Sequence, residues 1–286
     1  GTMDPVGDHF EAVGIPLTEY RDQDVFASDR STWNRYPYQI AQIVVKDALS
    51  KKELCRTTAV APVSSELNCG KCHSDEGIAT KRFDIAPGGK AELNILALHD
   101  KLNKGKYRPQ LLDSRPVLCA RCHSSNALGL KGKSGIPSLS NAVHKRHQEV
   151  KGITADTAGC YSCHPGNKTQ CLRDVMNSEF NLNCTTCHKT MATIAKNKKP
   201  WMIEPRCDQS GCHGNGYKLD QPLYRNSKGT GGIYCAGCHD SPHAIAPSRE
   251  PNDSYKFMDL QGEKGTLYKC EVCHGQRPKD PFNHNK

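Results

Sequence analysis

The chain has 286 residues, a formal net charge of +9 and 36% hydrophobic residues. Its 16 cysteines are too many for an ordinary enzyme of this length, and a disulfide scaffold usually belongs to a much shorter chain. We find no apolar run of the length that a membrane-spanning helix needs, so the sequence predicts no transmembrane segment.

The N-terminal segment, residues 6–66, differs from the rest of the chain. Residues 1–5, Gly-Thr-Met-Asp-Pro, are interpreted as a foreign remnant that replaces a signal peptide. Between residues 36 and 45 the chain is rich in β-branched and aromatic residues, 47–52 resemble a turn, and 54–60 resume the extended pattern. The segment therefore predicts a small β-hairpin.

One pattern dominates the region from 67 to 286: two cysteines followed directly by a histidine. Six copies separate the cysteines by two residues, and a seventh separates them by four. The copies, numbered in chain order, are motif 1 (Cys69, Cys72, His73), motif 2 (Cys119, Cys122, His123), motif 3 (Cys160, Cys163, His164), motif 4 (Cys184, Cys187, His188), motif 5 (Cys207, Cys212, His213), motif 6 (Cys235, Cys238, His239) and motif 7 (Cys270, Cys273, His274). With 13 histidines in the chain, chance would give seven such coincidences with a probability on the order of 10⁻⁹.

The spacing of these motifs suits the covalent attachment of haem. Two thiols about one turn apart can each add to a haem vinyl group, and the adjacent imidazole then lies against the iron. The sequence therefore predicts seven haems c, with the motif cysteines as thioether donors and the motif histidines as proximal iron ligands. Zinc knuckles, zinc ribbons and redox-active dithiols are the alternatives, but none of them requires a histidine directly after the second cysteine. For motif 5, a disulfide turn or another kind of metal site is a further alternative.

Seven haems leave only about 41 residues of chain for each one. So little polypeptide cannot build large apolar cores between the cofactors, and the hydrophobic content is modest. We therefore expect a haem-cored fold of mostly irregular loops and short α-helices, with the small N-terminal β-hairpin.

Two short helices are predicted to carry further iron ligands. Residues 91–103 have helical periodicity, with His99 on the apolar side. Asn141 can cap a helix over 142–150, in which His144 and His147 lie at positions i and i+3 on one side. These two histidines could serve neighbouring haems.

The C-terminal half offers a further distal ligand in His243, four residues after His239. A link this short prevents both side chains from binding one iron from opposite faces, so His243 should serve a different haem.

The other candidates for the remaining distal positions are His9, His284, Met176 and Met191, with Met202 and Met258 weaker. Outside the motifs the chain has six histidines for seven irons. At least one iron therefore needs a methionine, a histidine from a neighbouring molecule, or an open position. Any lone histidine or methionine could instead be a surface or packing residue.

Cys55 and Cys171 remain outside the motifs. Thioether attachment normally follows export, which places the protein in the periplasm or at the cell surface, where these two cysteines can form a disulfide. The alternative is two unrelated thiols. The basic residues are interpreted as counter-charges for haem propionates, which argues against nucleic acid as a partner.

The motifs from 69 to 274 make the chain resemble the multihaem c-type cytochromes of respiratory or extracellular electron transport. The resemblance implies haems in stacked and T-shaped pairs along a line, and in some members filaments built from copies of the chain. Ammonia-forming nitrite reductases of this kind typically have a lysine in place of one motif histidine, and this sequence has none. Hydroxylamine oxidoreductases do use histidine there.

The expected function is electron transfer along the haems between redox protein donors and acceptors, without an enzymatic step. The supply of distal histidines favours this function, because ligated irons have no position for a substrate. The alternatives are a reductase or oxidase with one open haem that acts on a small nitrogen or sulfur oxyanion, and a subunit of a cytochrome filament.

Overall fold

A computed structural model describes residues 1–21, 36–63, 67–104, 106, 109–154, 157–164, 175–200, 203–204, 223–229, 232–245, 248 and 251–279. The described chain is mostly loops with short helices and two small antiparallel sheets. None of its helices has the length and apolarity that crossing a membrane requires.

The chain divides into two compact units. Unit 1 contains residues 1–15 and 66–164, and unit 2 contains residues 16–65 and 165–286. Motifs 1 to 3 therefore belong to unit 1 and motifs 4 to 7 to unit 2. In this division residues 6–15 of the predicted N-terminal segment belong to unit 1 and residues 16–65 to unit 2.

Unit 1 begins with a small hairpin of β1 (Asp4–Val6) and β2 (His9–Glu11), which the sequence analysis did not predict because residues 1–5 had been set aside. Its helices are α1 (Gly70–His73), α2 (Ile78–Arg82), α3 (Ala91–Leu102), α4 (Leu139–His147) and α5 (Thr157–Tyr161). A 3-10 turn covers Cys119–Arg121. Every described motif of this unit thus lies in or beside a helical turn.

The two predicted helices of unit 1 are present, one with different ends. Helix α3 agrees closely with the predicted 91–103. Helix α4 begins three residues before the predicted start, and its N-cap is Ser138, whose hydroxyl accepts from the Asn141 amide at 3.2 Å. The predicted cap at Asn141 was wrong, because this residue lies inside the first turn.

Unit 2 contains the predicted hairpin, formed by β3 (Tyr38–Lys46) and β4 (Glu53–Pro62). Asp47 organises the turn, because its carboxylate accepts from the amides of Leu49 and Ser50 at 3.1 and 2.7 Å. An isolated two-stranded hairpin is marginally stable in water. Here the helix Tyr255–Gln261 of the same unit packs against β4.

The helices of unit 2 are short. They are α6 (Val175–Ser178), α7 (Cys184–His188), α8 (Met191–Lys196), α9 (Cys235–His239) and α10 (Tyr255–Gln261). Single 3-10 turns cover Tyr224–Asn226, Pro242–Ala244 and Cys270–Val272.

Buried apolar side chains are few and scattered along the described chain. They are Tyr38, Ile85, Ala120, Val175, Met176, Ala195, Tyr224, Ala244 and Phe257. The described side chains therefore do not gather into one large apolar core, and the helices are held mainly by local hydrogen bonds and by contacts around the motifs.

Candidate metal centres

Each described motif closes one helical turn. In motif 1 the His73 amide donates to the Cys69 carbonyl at 2.9 Å, and motifs 2, 3 and 7 form the equivalent bond at 2.9, 2.8 and 2.8 Å. Motifs 4 and 6 coincide with α7 and α9. Residues i and i+3 of a helical turn share one side, so the two thiols of each motif project together. Motif 5 lies outside the described residues.

Local sequence explains why the turn of motif 4 forms and where it stops. The Asn183 side-chain oxygen accepts from the Thr186 backbone amide at 3.1 Å, and the Asn183 backbone amide donates to the Thr186 hydroxyl at 3.1 Å, which completes a capping box. Lys189, directly after the motif, has φ 63° and ends the helix. Asp240 ends motif 6 in the same way, with φ 75°.

A loop that follows motif 2 holds its backbone. The Lys133 amide donates to the Cys122 carbonyl at 2.8 Å. Gly132 has φ +66°, and a Cβ at this position would lie 2.4 Å from the Ser124 nitrogen. Only glycine fits here, because the conformation and the close approach both exclude a side chain.

In unit 1 every motif histidine lies beside a histidine from outside the motifs. The partner histidines come from helices α3 and α4. The pairs are His73 with His147 at 6.2 Å between ring centroids, His123 with His99 at 6.5 Å, and His164 with His144 at 5.8 Å. The planes of the rings cross at 72°, 89° and 13° in the same order.

In unit 2 the described pair is His188 of motif 4 with His243, at 6.3 Å and 48°. His243 lies in the 3-10 turn Pro242–Ala244, which follows motif 6. The short link from His239 therefore places His243 at another motif, in the arrangement that the sequence predicts.

These separations match what two imidazoles on one metal ion require. Metal to imidazole-nitrogen bonds are about 2.0–2.1 Å long, so two rings on opposite faces of one ion have centroids about 6.3 Å apart. Rotation about the metal–nitrogen bonds leaves the angle between ring planes free. The four pairs are therefore each spaced to hold one ion between their rings.

Hydrogen bonds orient several of these rings. The Nδ1 atoms of His123, His144 and His147 lie 2.8, 2.8 and 2.7 Å from the carbonyl oxygens of Pro137, Ser140 and Val143. A carbonyl oxygen only accepts, so each Nδ1 carries the proton and each Nε2 keeps its lone pair for a metal. His239 makes the same type of bond to the Ile245 carbonyl at 3.3 Å.

Two of the histidines are held in the neutral form that binds metals. Burial lowers the pKa of His73, and the neighbouring His147 lowers it further. Burial also lowers the pKa of His99, and His123 and Arg146 add to this effect against the opposing charge of Asp100. Both imidazoles are therefore more readily available as ligands than an exposed histidine.

Two motif thiols have pKa values shifted away from those of redox-active cysteines. Burial raises the pKa of Cys163, and the nearby Cys69 and Cys72 raise it further. Burial and Cys273 raise the pKa of Cys238. Reactive dithiols usually have a lowered pKa, so these environments do not favour the dithiol alternative. The first shift also shows that motif 3 lies close to motif 1.

Helix α4 contributes to two pairs at once. His144 and His147 lie one turn apart, and they face His164 of motif 3 and His73 of motif 1. Side chains at i and i+3 of a helix are neighbours, with Cβ atoms about 5–6 Å apart. The two pairs are therefore held side by side by one short helix.

Motif 6 is enclosed by residues that the sequence analysis did not single out. The hydroxyl of Tyr224, 3% exposed, donates to the Asp240 carbonyl at 2.6 Å. The Lys256 ammonium lies 3.2 Å from the Ala236 carbonyl and 3.5 Å from the Asp240 carboxylate. No local pattern reveals these contacts, because Lys256 lies 17 positions after His239 and Tyr224 lies 11 positions before Cys235.

The remaining predicted ligands lie in several elements of the chain. His9 lies in β2 with Nδ1 3.5 Å from the Asp8 carboxylate. Met176 is buried in α6, and Met191 begins α8 directly after motif 4, whose histidine already faces His243. Cys55 is exposed on β4. The candidates that lie outside the described residues are Cys171, Met202, Cys207, Cys212, His213 and His284.

Within the described part of the chain, no three His, Cys, Asp or Glu side chains are gathered into a group that could hold a metal ion. The described histidines near the motifs instead lie in pairs. Comparison of the chain with protein-family models, with curated proteins and with solved structures finds no match.

Proposed function

We propose that this chain is an electron-transfer protein that holds seven haems c through its cysteine motifs, and that the histidine pairs are the axial ligands of the irons. One observation carries the proposal: each described pair joins one motif histidine to one histidine from outside the motifs, at 5.8 to 6.5 Å.

The pairing pattern favours ligation over ordinary ring packing. Aromatic contacts also have centroid separations of about 4.5–7 Å, so distance alone does not separate the two explanations. Packing would not distinguish motif histidines from the others, however. Axial ligation requires one of each kind, because a proximal ligand beside the thioethers needs a distal ligand from elsewhere in the chain.

The residues of the chain have separate tasks in this proposal. The two thiols of each motif hold the porphyrin covalently, and the next histidine binds the iron from one face. His99, His144, His147 and His243 bind from the opposite face, and carbonyl acceptors at Nδ1 orient His144 and His147. Bound haem supplies reversible one-electron exchange.

The distal histidines also favour electron transfer over substrate chemistry at the four described sites. A histidine on each face of a bound haem would leave its iron no position for a small oxyanion. Helix α4 holds two of these sites next to each other, which suits a protein that passes electrons from site to site. The proposed partners are redox protein donors and acceptors, and copies of the chain itself, in the periplasm or at the cell surface.

The test is to produce the chain in a host that matures c-type cytochromes and to count its haems. We expect seven covalent haems by intact mass and pyridine haemochrome analysis, and low-spin ferric signals from the four described sites in the electron paramagnetic resonance (EPR) spectrum. Substantially fewer than six haems in matured protein would overturn the haem assignment. A high-spin haem that binds nitrite or cyanide rapidly would instead support the enzymatic alternative at a site outside the four pairs.

A further inference from the structure

Asn94, in helix α3, has the environment of a residue with a specific structural task beside motif 1. It is 1% exposed. Its side-chain amide donates to the His73 carbonyl and to the Asp75 carboxylate, both at 2.9 Å. Its side-chain oxygen accepts from the Gly88 amide at 2.9 Å. Both amide hydrogens and the oxygen are therefore engaged.

Asp75 extends this cluster to the start of α3. Its carboxylate also accepts from the amides of Gly88 and Gly89 at 3.1 and 3.2 Å. The N-cap of α3 is Lys90, whose side chain makes no capping bond. The hydrogen bonds of Asp75 and Asn94 therefore fix Gly88 and Gly89, the two residues that precede the N-cap of α3. They hold the start of the helix in place, a task that a capping side chain usually performs.

Helix α3 connects this cluster to a second motif. Five residues after Asn94 the same helix carries His99, which faces His123 of motif 2 at 6.5 Å. At the far end of α3, the Asn103 side-chain amide donates to the His99 carbonyl at 2.8 Å. Helix α3 thus bonds the His73 carbonyl of motif 1 through Asn94 and carries the His99 ring that faces His123 of motif 2.

We infer that Asn94 is a positioning residue: it fixes the His73 segment of motif 1 and the His99-bearing helix relative to each other, and so sets the axial-ligand geometry at two of the seven haems. The inference rests on the proposed function, because it needs iron between the paired rings. It goes beyond that function in assigning a task to a residue that contacts neither thioether nor iron.

Chemistry explains why an asparagine is needed at this position. An apolar side chain would remove the donor that the His73 carbonyl has in Asn94 and one of the donors to the Asp75 carboxylate, and it would leave the Gly88 amide with Asp75 alone. An aspartate would direct a carboxylate at a carbonyl and at a second carboxylate, both of which only accept. An asparagine provides two donors and one acceptor in the required directions.

The experiment uses the whole haem-loaded chain and the variant Asn94→Ala. We expect a haem count equal to that of the parent, with altered EPR signals at two low-spin haems and unchanged signals at the others. Cyanide should bind those two ferric haems about tenfold faster than in the parent, because their ligands are held less firmly. The control is Gln39→Ala, which removes a side chain that donates to the Thr18 and Tyr36 carbonyls in the hairpin region.

Ligand variants identify the haems that respond. His147→Met marks the haem of motif 1, and His99→Met marks that of motif 2. The signals changed by Asn94→Ala should be those that these two substitutions change. A response at other haems, at all haems equally, or at none overturns the inference, whereas a low haem count in the parent protein would overturn the proposed function.

Asp75→Ala keeps the inference testable if Asn94→Ala fails to mature. This variant keeps the bond from Asn94 to the His73 carbonyl and removes the bonds to Asp75. We expect smaller changes at the same two haems. Full maturation of Asp75→Ala without any change at these haems would contradict the proposed role.

Discussion

Units 1 and 2 supply their paired histidines in different ways. In unit 1 the non-motif histidines come from α3 and α4, helices of 12 and 9 residues, and all three motif histidines have a described partner. In unit 2 the described partner, His243, lies in a three-residue 3-10 turn close to another motif. In unit 1, two helices therefore position the partner histidines of three motifs. In the described part of unit 2, a short turn after motif 6 positions the partner histidine of motif 4.

The comparison has an energetic consequence. Under the proposed function, a helix that carries two ligands makes both sites sensitive to one change in its backbone. A ligand on a short turn beside a motif depends mainly on that turn. The following substitutions test this difference, from the largest expected effect to the smallest.

Val143→Pro should have the largest effect, because it breaks α4 between its two ligand histidines. Val143 is 46% exposed, so its side chain contributes little packing. A proline inside a helix costs about 3 kcal/mol, and we expect both the motif 1 and the motif 3 haem to lose their distal ligand. Two of seven haems should become high-spin by EPR. Val143→Ala is the control and should keep them low-spin, and a single high-spin haem in the proline variant would contradict the shared role of α4.

His147→Met and His243→Met compare one ligand from each unit. Each should change one haem alone and raise its reduction potential, because a His/Met pair has a higher potential than a bis-histidine pair. A spectroelectrochemical titration would measure one shifted component in seven for each variant. If His243→Met changed the haem of motif 6 and not that of motif 4, the observed pairing in unit 2 would be incorrect.

Lys256→Ala tests a partly buried ion pair in unit 2 against an exposed one in unit 1. The side chains of Lys256 and Asp240 are 14% and 17% exposed. Removal of the ammonium also removes the hydrogen bond that Lys256 donates to the Ala236 carbonyl. We expect unit 2 to lose about 1–2 kcal/mol of stability. Lys81→Ala breaks the pair with Glu76, whose side chains are 64% and 85% exposed, and should cost less than about 0.5 kcal/mol. Denaturant titration of the matured variants would show equal losses if burial were irrelevant.

Ser138→Ala and Asn183→Ala remove the N-caps of α4 and α7. Loss of such a cap typically costs about 1 kcal/mol. In unit 1 the effect should reach two haems, detected as faster cyanide binding at the motif 1 and motif 3 sites. In unit 2 it should be confined to motif 4, detected as a lower yield of haem attachment there by peptide mass spectrometry. Equal responses at all sites would remove the proposed difference between the units.

Local signals explain which elements of the fold were predictable. The β3–β4 hairpin follows from alternating β-branched residues around a turn that Asp47 can organise. Helix α3 follows from its apolar periodicity. The start of α4 was misplaced because Ser138 and Asn141 are both capable caps, and only the backbone path after Pro137 selects the first.

The sequence by itself determined the motifs and their turn-forming spacing, because the geometry of one helical turn acts over five residues. It also limited the proposed distal ligands to a few candidate residues. Only the tertiary structure decided that His147 faces His73, that His99 faces His123, and that Asn94 holds the His73 carbonyl. These contacts join residues 21 to 74 positions apart in the chain. Such pairings depend on how loops and helices pack together, and no local pattern encodes them.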